Sequence, residues 1–237
     1  MTTPWKYGKT TNLRGDCDLV HVRKSSFFVA DHPRNISVHS LHLLLPANHT
    51  KASKMRNVTF GINISLDGYC DHTAFNPCED VHDYFTGIME DADLIFFGRI
   101  MYQLMFPYWS DIAKNQSGSE DENRFAEKLC SIDKVVISRT LEHAAQKTRI
   151  IRRDPAGELL KLKQQPGKKI MADSISLLPE LITAGLIDEF HFVVHPVMMG
   201  KGRRLLDHNS IGDKLNLRLL DTIRFKSGCV AHHYLKQ

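Results

Sequence analysis

The chain has 237 residues, which is enough for one full-sized domain or for one domain with an appendage. Its formal net charge of +4 is unevenly distributed. Residues 1–54 carry 8 lysines and arginines against 3 acidic residues, whereas residues 55–237 carry 23 against 24. Because the larger segment is close to neutral, the composition gives no reason to expect a nucleic-acid partner.

Cysteine usage and hydropathy indicate the compartment. The five cysteines are odd in number and widely spaced, with no C-x-x-C motif, which is typical of a reducing compartment and disfavours a disulfide framework or a cysteine-based zinc site. No apolar run approaches the roughly 18–20 residues that span a membrane, and the N-terminus lacks the apolar core of a secretion signal. We therefore expect a cytoplasmic protein with no membrane partner.

Residues 1–54 differ from the rest of the chain. They hold five of the thirteen histidines and show little helical or strand periodicity. Met55 is followed at once by a strand-like run, as a natural start would be. The sequence therefore predicts one folded domain over residues 55–237, preceded by a disordered extension or by residues added through a start site assigned too early. A basic tail for an anionic partner is the alternative.

From Val58 onwards, strand and helix patterns alternate. In the first half of the domain we predict strands at Val58–Ile64 and Leu94–Phe97, and helices at Asp80–Met89 and Arg99–Met105, the second of which Phe106-Pro107 should end. A polar loop from Asn115 to Asp121 should lead into a helix that runs to about Cys130.

The same alternation continues in the second half. We predict strands at Lys134–Ile137, Arg149–Ile151, Lys169–Ala172 and Phe190–His195, helices at Pro155–Lys163 and Leu177–Ala184, and a final pair of strands at Leu215–Phe225 and Cys229–Leu235. This order predicts a three-layer α/β fold, in which a mostly parallel central sheet has helices on both faces and an antiparallel C-terminal strand pair.

The stretch from Gly185 to Leu206, GLIDEFHFVVHPVMMGKGRRLL, is the most distinctive part of the sequence. It resembles the "GLIDE…HPV…GxG…LF" segment of the RibD C-terminal family, the reductase domain of bacterial riboflavin biosynthesis, which shares its fold with dihydrofolate reductase. The resemblance extends over residues 55–237 and is strongest to the stand-alone subgroup of dihydrofolate reductase family proteins. No pair of cytidine-deaminase zinc motifs is present, which separates this chain from the bifunctional riboflavin enzyme.

Two turns at predicted strand ends resemble turns that hold NADPH in this family. Gly98-Arg99 joins a strand to a helix, where unpaired N–H groups and a positive charge suit phosphate. Ser138-Arg139-Thr140 is similar to the family's "SRT" turn, and the resemblance implies contact with the 2′-phosphate of the cofactor. For each turn, a plain polar junction with a surface arginine is the alternative.

A third turn, Ala172-Asp173-Ser174-Ile175-Ser176, departs from the glycine-rich turn usual in the family. Ser174 and Ser176 can still cap the next helix and bind an anion. Asp173 puts a carboxylate where a phosphate should arrive, and like charges ~4–5 Å apart would cost a few kcal/mol. Either Asp173 points away, or it caps the helix, or cofactor binding is weakened.

On the substrate side, Ile64-Ser65-Leu66-Asp67-Gly68 matches the family's "SLDG" segment. Asp67 is a candidate for binding the substrate or supplying a proton. An equally weighted alternative is that it is simply a turn residue before Gly68. Tyr108 and Trp109 could form an aromatic wall for a flat heterocycle, or pack in a lid or dimer contact. His195, at the end of its strand, is a further pocket candidate.

These features together give two hypotheses. The first is an NADPH-dependent oxidoreductase that reduces a small pterin- or pyrimidine-like heterocycle by hydride transfer, with Arg99, Ser138, Arg139 and Thr140 holding the cofactor and no metal. The second is a catalytically silent protein that keeps the fold as a ligand-binding or dimeric scaffold. The resemblance implies a homodimer in either case.

Overall fold

The computed structural model of the protein describes residues 55–71, 75, 78–206 and 210–237. The predicted extension, residues 1–54, lies outside the described residues, and the domain start at Met55 stays a prediction. Within the described ranges, no helix combines the length and the apolar character that a membrane crossing requires.

The described residues contain eight strands and five helices. The strands are Val58–Ser65 (β1), Ala92–Gly98 (β2), Asp133–Ile137 (β3), Thr148–Ile151 (β4), Lys169–Asp173 (β5), Glu189–His195 (β6), Leu217–Arg224 (β7) and Val230–Lys236 (β8). The helices are Glu79–Glu90 (α1), Arg99–Asn115 (α2), Glu120–Ser131 (α3), Pro155–Gln164 (α4) and Leu178–Thr183 (α5). The elements follow the order that the sequence predicts.

All eight strands form one sheet in the order β4-β3-β2-β5-β1-β6-β8-β7. Each neighbouring pair in the run β4-β3-β2-β5-β1-β6 is parallel. Strand β8 pairs antiparallel with both β6 and β7. This confirms the predicted mostly parallel sheet with an antiparallel C-terminal pair. The carboxyl ends of parallel strands meet at one edge of a sheet, so the turns after β1, β2, β3 and β5 are brought together there.

Two hydrophobic cores lie on opposite faces of the sheet. Phe96 and Phe97 on β2 are both fully buried, because successive side chains of a strand point to opposite faces and both faces are covered. On one face, Phe96 packs in a cluster with Leu159 of α4. On the other, Phe97 packs in a cluster with Trp109 of α2 and Phe125 of α3. The fold therefore has the predicted three layers.

Helix α2 differs from its prediction. It passes through Pro107 and ends at Asn115, so the predicted end at Phe106-Pro107 is wrong. A proline inside a helix costs about 3 kcal/mol, because it removes one hydrogen bond and crowds the preceding turn. Trp109 and Ile112 lie beyond the proline and are buried against α3, and this burial offsets the cost. Tyr108 and Trp109 therefore belong to the helix and not to a loop.

Candidate functional site

A cavity of about 560 Å³ lies between the sheet and helices α1, α2 and α3. Most of its lining is apolar and aromatic, with Phe75, Phe85, Met105, Tyr108, Trp109 and Phe125 among the lining residues. The polar side chains in the lining are those of Asn63, His82, Glu122 and Asp173. Its volume lies within the range of about 300–1,000 Å³ that is typical of small-molecule sites. We call it the large cavity.

A second cavity, of about 170 Å³, adjoins the first. The two share Cys70, Met101 and Leu104 in their walls. The lining of the second cavity also includes Ser174, Ser176 and Arg203, together with one acidic residue, Asp71. Two hydroxyl groups and a guanidinium suit an anion. We call it the serine cavity.

The ends of β2 and β5 approach closely beside the serine cavity. Gly98 ends β2 and precedes α2, whose first turn has no side-chain cap. A Cβ atom at position 98 would overlap Ser174 Oγ and lie 3.0 Å from Ser174 Cβ. Ser174 Oγ accepts the N–H of Leu177 at 3.3 Å and lies 3.4 Å from Ser176 Oγ. The absence of a side chain at Gly98 therefore lets the serine hydroxyls sit against the start of α2.

At the end of β5, Asp173 lines a different cavity from the two serines that follow it. It lines the large cavity, whereas Ser174 and Ser176 line the serine cavity. It does not cap α5, whose N-cap is Leu177. Among the described residues none hydrogen-bonds its carboxyl group, and the surrounding protein raises its pKa to about 7 by desolvation. Near neutral pH much of this group is therefore uncharged, which reduces the repulsion expected for a phosphate nearby.

The turn after β3 is organised by Ser138. Its buried Oγ accepts the N–H groups of Thr140 at 3.2 Å and Leu141 at 2.8 Å. Arg152 donates to the carbonyl oxygens of Ser138 at 3.2 Å and Leu141 at 2.6 Å. Arg139 and Thr140 are left exposed. The sequence did not single out Arg152, whose contacts come from the pairing of β3 with β4.

This turn lies close to the serine cavity in the sheet. Ile137, which precedes Ser138, pairs with Gly98 on β2, and β2 pairs with β5. Two strand spacings of about 4.8 Å therefore separate the ends of β3 and β5. Arg99, in contrast, turns along its own helix and donates to Gln103 Oε1 at 2.7 Å.

Asp67 lies in the turn after β1, outside the lining of both cavities. Its carboxylate accepts the Ser65 hydroxyl at 2.6 Å and the N–H groups of Gly200 at 2.7 Å and Met199 at 3.0 Å. The Ser65 bond, followed by those from Gly200 and Met199, lowers its pKa to about 2. A carboxylate that is so firmly ionised is a poor proton donor, so these contacts favour the turn role that the sequence left open.

The two predicted aromatic residues both reach the large cavity. Tyr108 is exposed at its rim, whereas Trp109 is buried in its wall, with its ring centroid 4.5 Å from that of Phe125. His195 lies behind the wall, stacked on Phe75 at 4.4 Å, with Nε2 3.1 Å from Asn63 Oδ1. Burial lowers the pKa of His195. His195 therefore contacts two residues of the cavity lining, Phe75 and Asn63, but does not line the cavity itself.

A buried histidine–aspartate pair was missed by the sequence interpretation. His82 of α1 lines the large cavity, and its Nδ1 lies 2.6 Å from Asp121 Oδ2 on α3. Although burial alone would raise the pKa of Asp121, hydrogen bonds from Ser119 and His82 lower it. In the described part of the chain, His82 Nε2 is buried without a hydrogen-bond partner. Once Asp121 has fixed Nδ1, the other nitrogen can accept or donate a proton.

The fold and the two cavities define a protein of the dihydrofolate reductase-like class, and comparison with known sequences gives the family. The sequence model of the RibD C-terminal domain matches residues 56–231, and the chain therefore belongs to that family. It is also 30% identical over 185 residues to the uncharacterized protein YyaP of Bacillus subtilis, across 76% of this chain and 95% of YyaP.

Solved structures agree with this fold. A putative riboflavin biosynthesis protein from Shewanella sp. PV-4 superposes with a TM-score of 0.56 at 20% identity, over 77% of this chain and 99% of that one. Dihydrofolate reductase from Enterococcus faecalis, complexed with NADP(H) and RAB-propyl, superposes with a TM-score of 0.51 at 9% identity, over 76% and 96% of the two chains. The chain thus has a reductase-type fold.

Gly98→Ala tests the close approach of β2 and β5. The added methyl group would displace the Ser174 hydroxyl, and we expect a loss of about 1–3 kcal/mol in the free energy of unfolding, measured by urea denaturation. Gly87→Ala is the matched control, because Gly87 lies in α1 with no atom within 4 Å of the new Cβ. That control should gain up to about 1 kcal/mol through helix propensity. Equal effects of the two variants would contradict the packing described.

Asp173 should make stability depend on pH. Its pKa is about 7 in the folded protein and near 3.8 when unfolded, so between these values the folded state binds more protons. Stability should therefore fall as the pH rises from about 4 to about 7, by at most about 4 kcal/mol at 1.36 kcal/mol per pKa unit. Urea denaturation at several pH values should show this slope, and Asp173→Asn should remove it. A slope that the exposed Asp213→Asn removes equally would contradict the assignment.

Proposed function

We propose that the protein is an NADPH-dependent reductase of a small pterin- or pyrimidine-like heterocycle. The observation that carries the proposal is the pair of adjoining cavities at the carboxyl edge of the parallel sheet, one with anion-binding groups and one large and apolar. Ligands of open α/β sheets bind at that edge. The reductase-type fold supports the proposal, and so does the NADP(H) complex of the dihydrofolate reductase from Enterococcus faecalis.

The cofactor would lie along the ends of β3, β2 and β5. Ser174, Ser176 and the uncapped first turn of α2 at Gly98 offer donors for the diphosphate. Arg203, which also lines the serine cavity, adds a positive charge. Arg99 would join them by releasing Gln103. The groups present therefore fit a dinucleotide phosphate.

The 2′-phosphate would bind to the turn after β3. Arg139 and Thr140 are exposed there, and within the described ranges neither side chain has a competing ion pair. The turn is held in shape by Ser138 and Arg152. A preorganised turn keeps an arginine available for a phosphate at little conformational cost.

The substrate would occupy the large cavity. Tyr108 and Trp109 offer aromatic surfaces for a flat ring, and Met171 and Ala172 of β5 line the cavity from the sheet. Bound NADPH would supply a hydride to a carbon of the heterocycle. A proton must then reach a ring nitrogen, and we assign its donation to Asp173 or His82 among the titratable groups of the cavity wall, which also include Glu122 and Tyr108. Asp121 would orient His82 in that role.

The silent scaffold hypothesis makes a different prediction for Asp173. If its charge has abolished cofactor binding, Asp173→Gly should raise the affinity for NADPH strongly. In our account Asp173 lines the large cavity, away from the serine cavity, and is about half protonated at pH 7. The same variant should therefore change the affinity only slightly while lowering the rate of reduction. Calorimetric titration of both proteins with NADPH distinguishes the two hypotheses.

Arg139→Ala tests the cofactor assignment. Losing a charge-assisted contact to the 2′-phosphate should weaken NADPH binding about 10–100-fold and leave NADH within about threefold, as measured by calorimetry. The control is Arg149→Ala, an exposed arginine within β4 and away from the strand ends. An equal loss for both cofactors would remove the 2′-phosphate assignment, and no NADPH binding to the wild type at millimolar concentration would overturn the reductase proposal.

We further propose that the protein is a homodimer that uses β7. This strand is the edge of the sheet, and Leu219, Leu220 and Ile223 on it are 51%, 50% and 40% exposed. Exposed apolar edge strands are covered in stable proteins. Sedimentation velocity should show a dimer for the wild type and a monomer for the double variant Leu219→Lys with Leu220→Lys. Met198→Lys, at an apolar residue outside β7 that is 75% exposed, should leave the dimer intact.

A further inference from the structure

Two histidines and a glutamate converge on the sheet away from both cavities. Glu189 and His191 lie two residues apart on β6, so their side chains point to the same face. His233 on β8 is directly opposite His191, and the two rings stack at 4.0 Å with an interplanar angle of 17°. Three potential metal ligands are thus held by strand geometry alone.

We propose that Glu189, His191 and His233 form a binding site for a divalent transition-metal ion, Zn²⁺ foremost. One ligand atom from each of the three lies within 4.8 Å of the others. Glu189 Oε2 is 3.5 Å from His233 Nε2 and 3.9 Å from His191 Nε2. Ligands in a tetrahedral zinc site are about 3.3–3.5 Å apart, so small side-chain rotations complete the arrangement.

A poorly satisfied atom points to the same conclusion. In the described residues, His233 Nε2 is buried and makes no hydrogen bond of good geometry, although Glu189 Oε2 lies 3.5 Å away. A buried polar atom without a partner is costly, and metal coordination would satisfy it. The side chain as a whole is 20% exposed, which leaves a path from solvent. Two imidazoles and one carboxylate are a common ligand set for Zn²⁺, with the fourth position open to water.

Neighbouring residues already orient the ligands. Tyr84 Oη lies 2.7 Å from His191 Nδ1, and Asn57 donates to Glu189 Oε1 at 2.9 Å. These contacts leave His191 Nε2 facing the proposed site, whereas Glu189 Oε2 also accepts from Thr59 Oγ1 at 3.4 Å and from Lys169 Nζ. Hydrogen bonds to the remote atom of a ligand are typical of metal sites, because they fix its orientation and protonation state.

The ammonium group of Lys169 competes with a metal ion for the Glu189 carboxylate. Its Nζ donates to Glu189 Oε2 at 3.0 Å, so an ammonium group stands where a cation would bind. The Lys169 side chain is a third exposed, and it can move into solvent when a metal replaces it. A divalent ion attracts the carboxylate more strongly than a single positive charge does. Removing Lys169 should therefore favour the metal.

The test is Zn²⁺ titration of the full chain, stripped with a chelator, by calorimetry and thermal unfolding. We expect about one tight equivalent, a rise in melting temperature, and a loss of affinity of at least about tenfold in His233→Ala and Glu189→Gln. His232→Ala is the matched control, because His232 neighbours His233 on β8 but contacts Thr222. Its affinity should equal that of the wild type.

Lys169→Met gives a change in the opposite direction, and we expect it to bind Zn²⁺ several-fold more tightly. An unfolded chain with 13 histidines and 5 cysteines can also bind Zn²⁺, so thermal unfolding must first show that Lys169→Met is folded. With that shown, this variant keeps the test decisive if Glu189→Gln unfolds. The proposal is overturned if the wild type and His233→Ala bind Zn²⁺ alike, if no heat is seen at about 100 μM Zn²⁺, or if Lys169→Met binds more weakly.

Discussion

The close contact between the ends of β2 and β5 is the constraint on which the site depends. Gly98 has no side chain, so the Ser174 hydroxyl can lie against the first turn of α2. That contact puts hydroxyl donors, free backbone N–H groups and Arg203 around one small cavity. It also directs Asp173, the residue before Ser174, into the large cavity. Two chemically different pockets thus receive successive residues, Asp173 and Ser174, of one strand end.

Electrostatics divide the site in the same way. Arg203, which lines the serine cavity together with Asp71, and Arg139, in the turn after β3, supply positive charge where a phosphorylated cofactor would bind. The large cavity has a mostly apolar lining, and desolvation raises the pKa of Asp173 in its wall to about 7, so about half of this group is neutral at pH 7. A neutral carboxyl group can donate a hydrogen bond or a proton to a heterocycle, which a solvated aspartate at pH 7 cannot do. The departure from the family's glycine-rich turn is therefore compatible with a reductase.

Much of the fold could be predicted from the sequence, because local patterns determined it. The β-branched runs, the alternation with helices and the RibD-like segment around Gly185 to Leu206 predict the sheet, and the structure confirms it. The predicted end of α2 was wrong, because Pro107 is a local signal that a helix stops. The burial of Trp109 and Ile112, which outweighs that signal, depends on tertiary packing against α3.

The residues that sequence interpretation missed depend on contacts between distant elements. His82 and Asp121 are 39 residues apart on two helices, and no spacing rule connects them. Glu189 and His233 meet only because β8 returns antiparallel beside β6. Asp67, in contrast, was singled out from a motif, and its hydrogen bonds to the Met199–Gly200 turn show why a motif position need not be a reacting group.

The central claim is that the two adjoining cavities form one site for cofactor and substrate. A crystal structure of the protein grown with NADPH tests it most directly. We predict density for the diphosphate against Ser174, Ser176 and Arg203, with the nicotinamide ring at the mouth of the large cavity beside Asp173. Cofactor density at another place on the protein, with both cavities empty, would contradict the account.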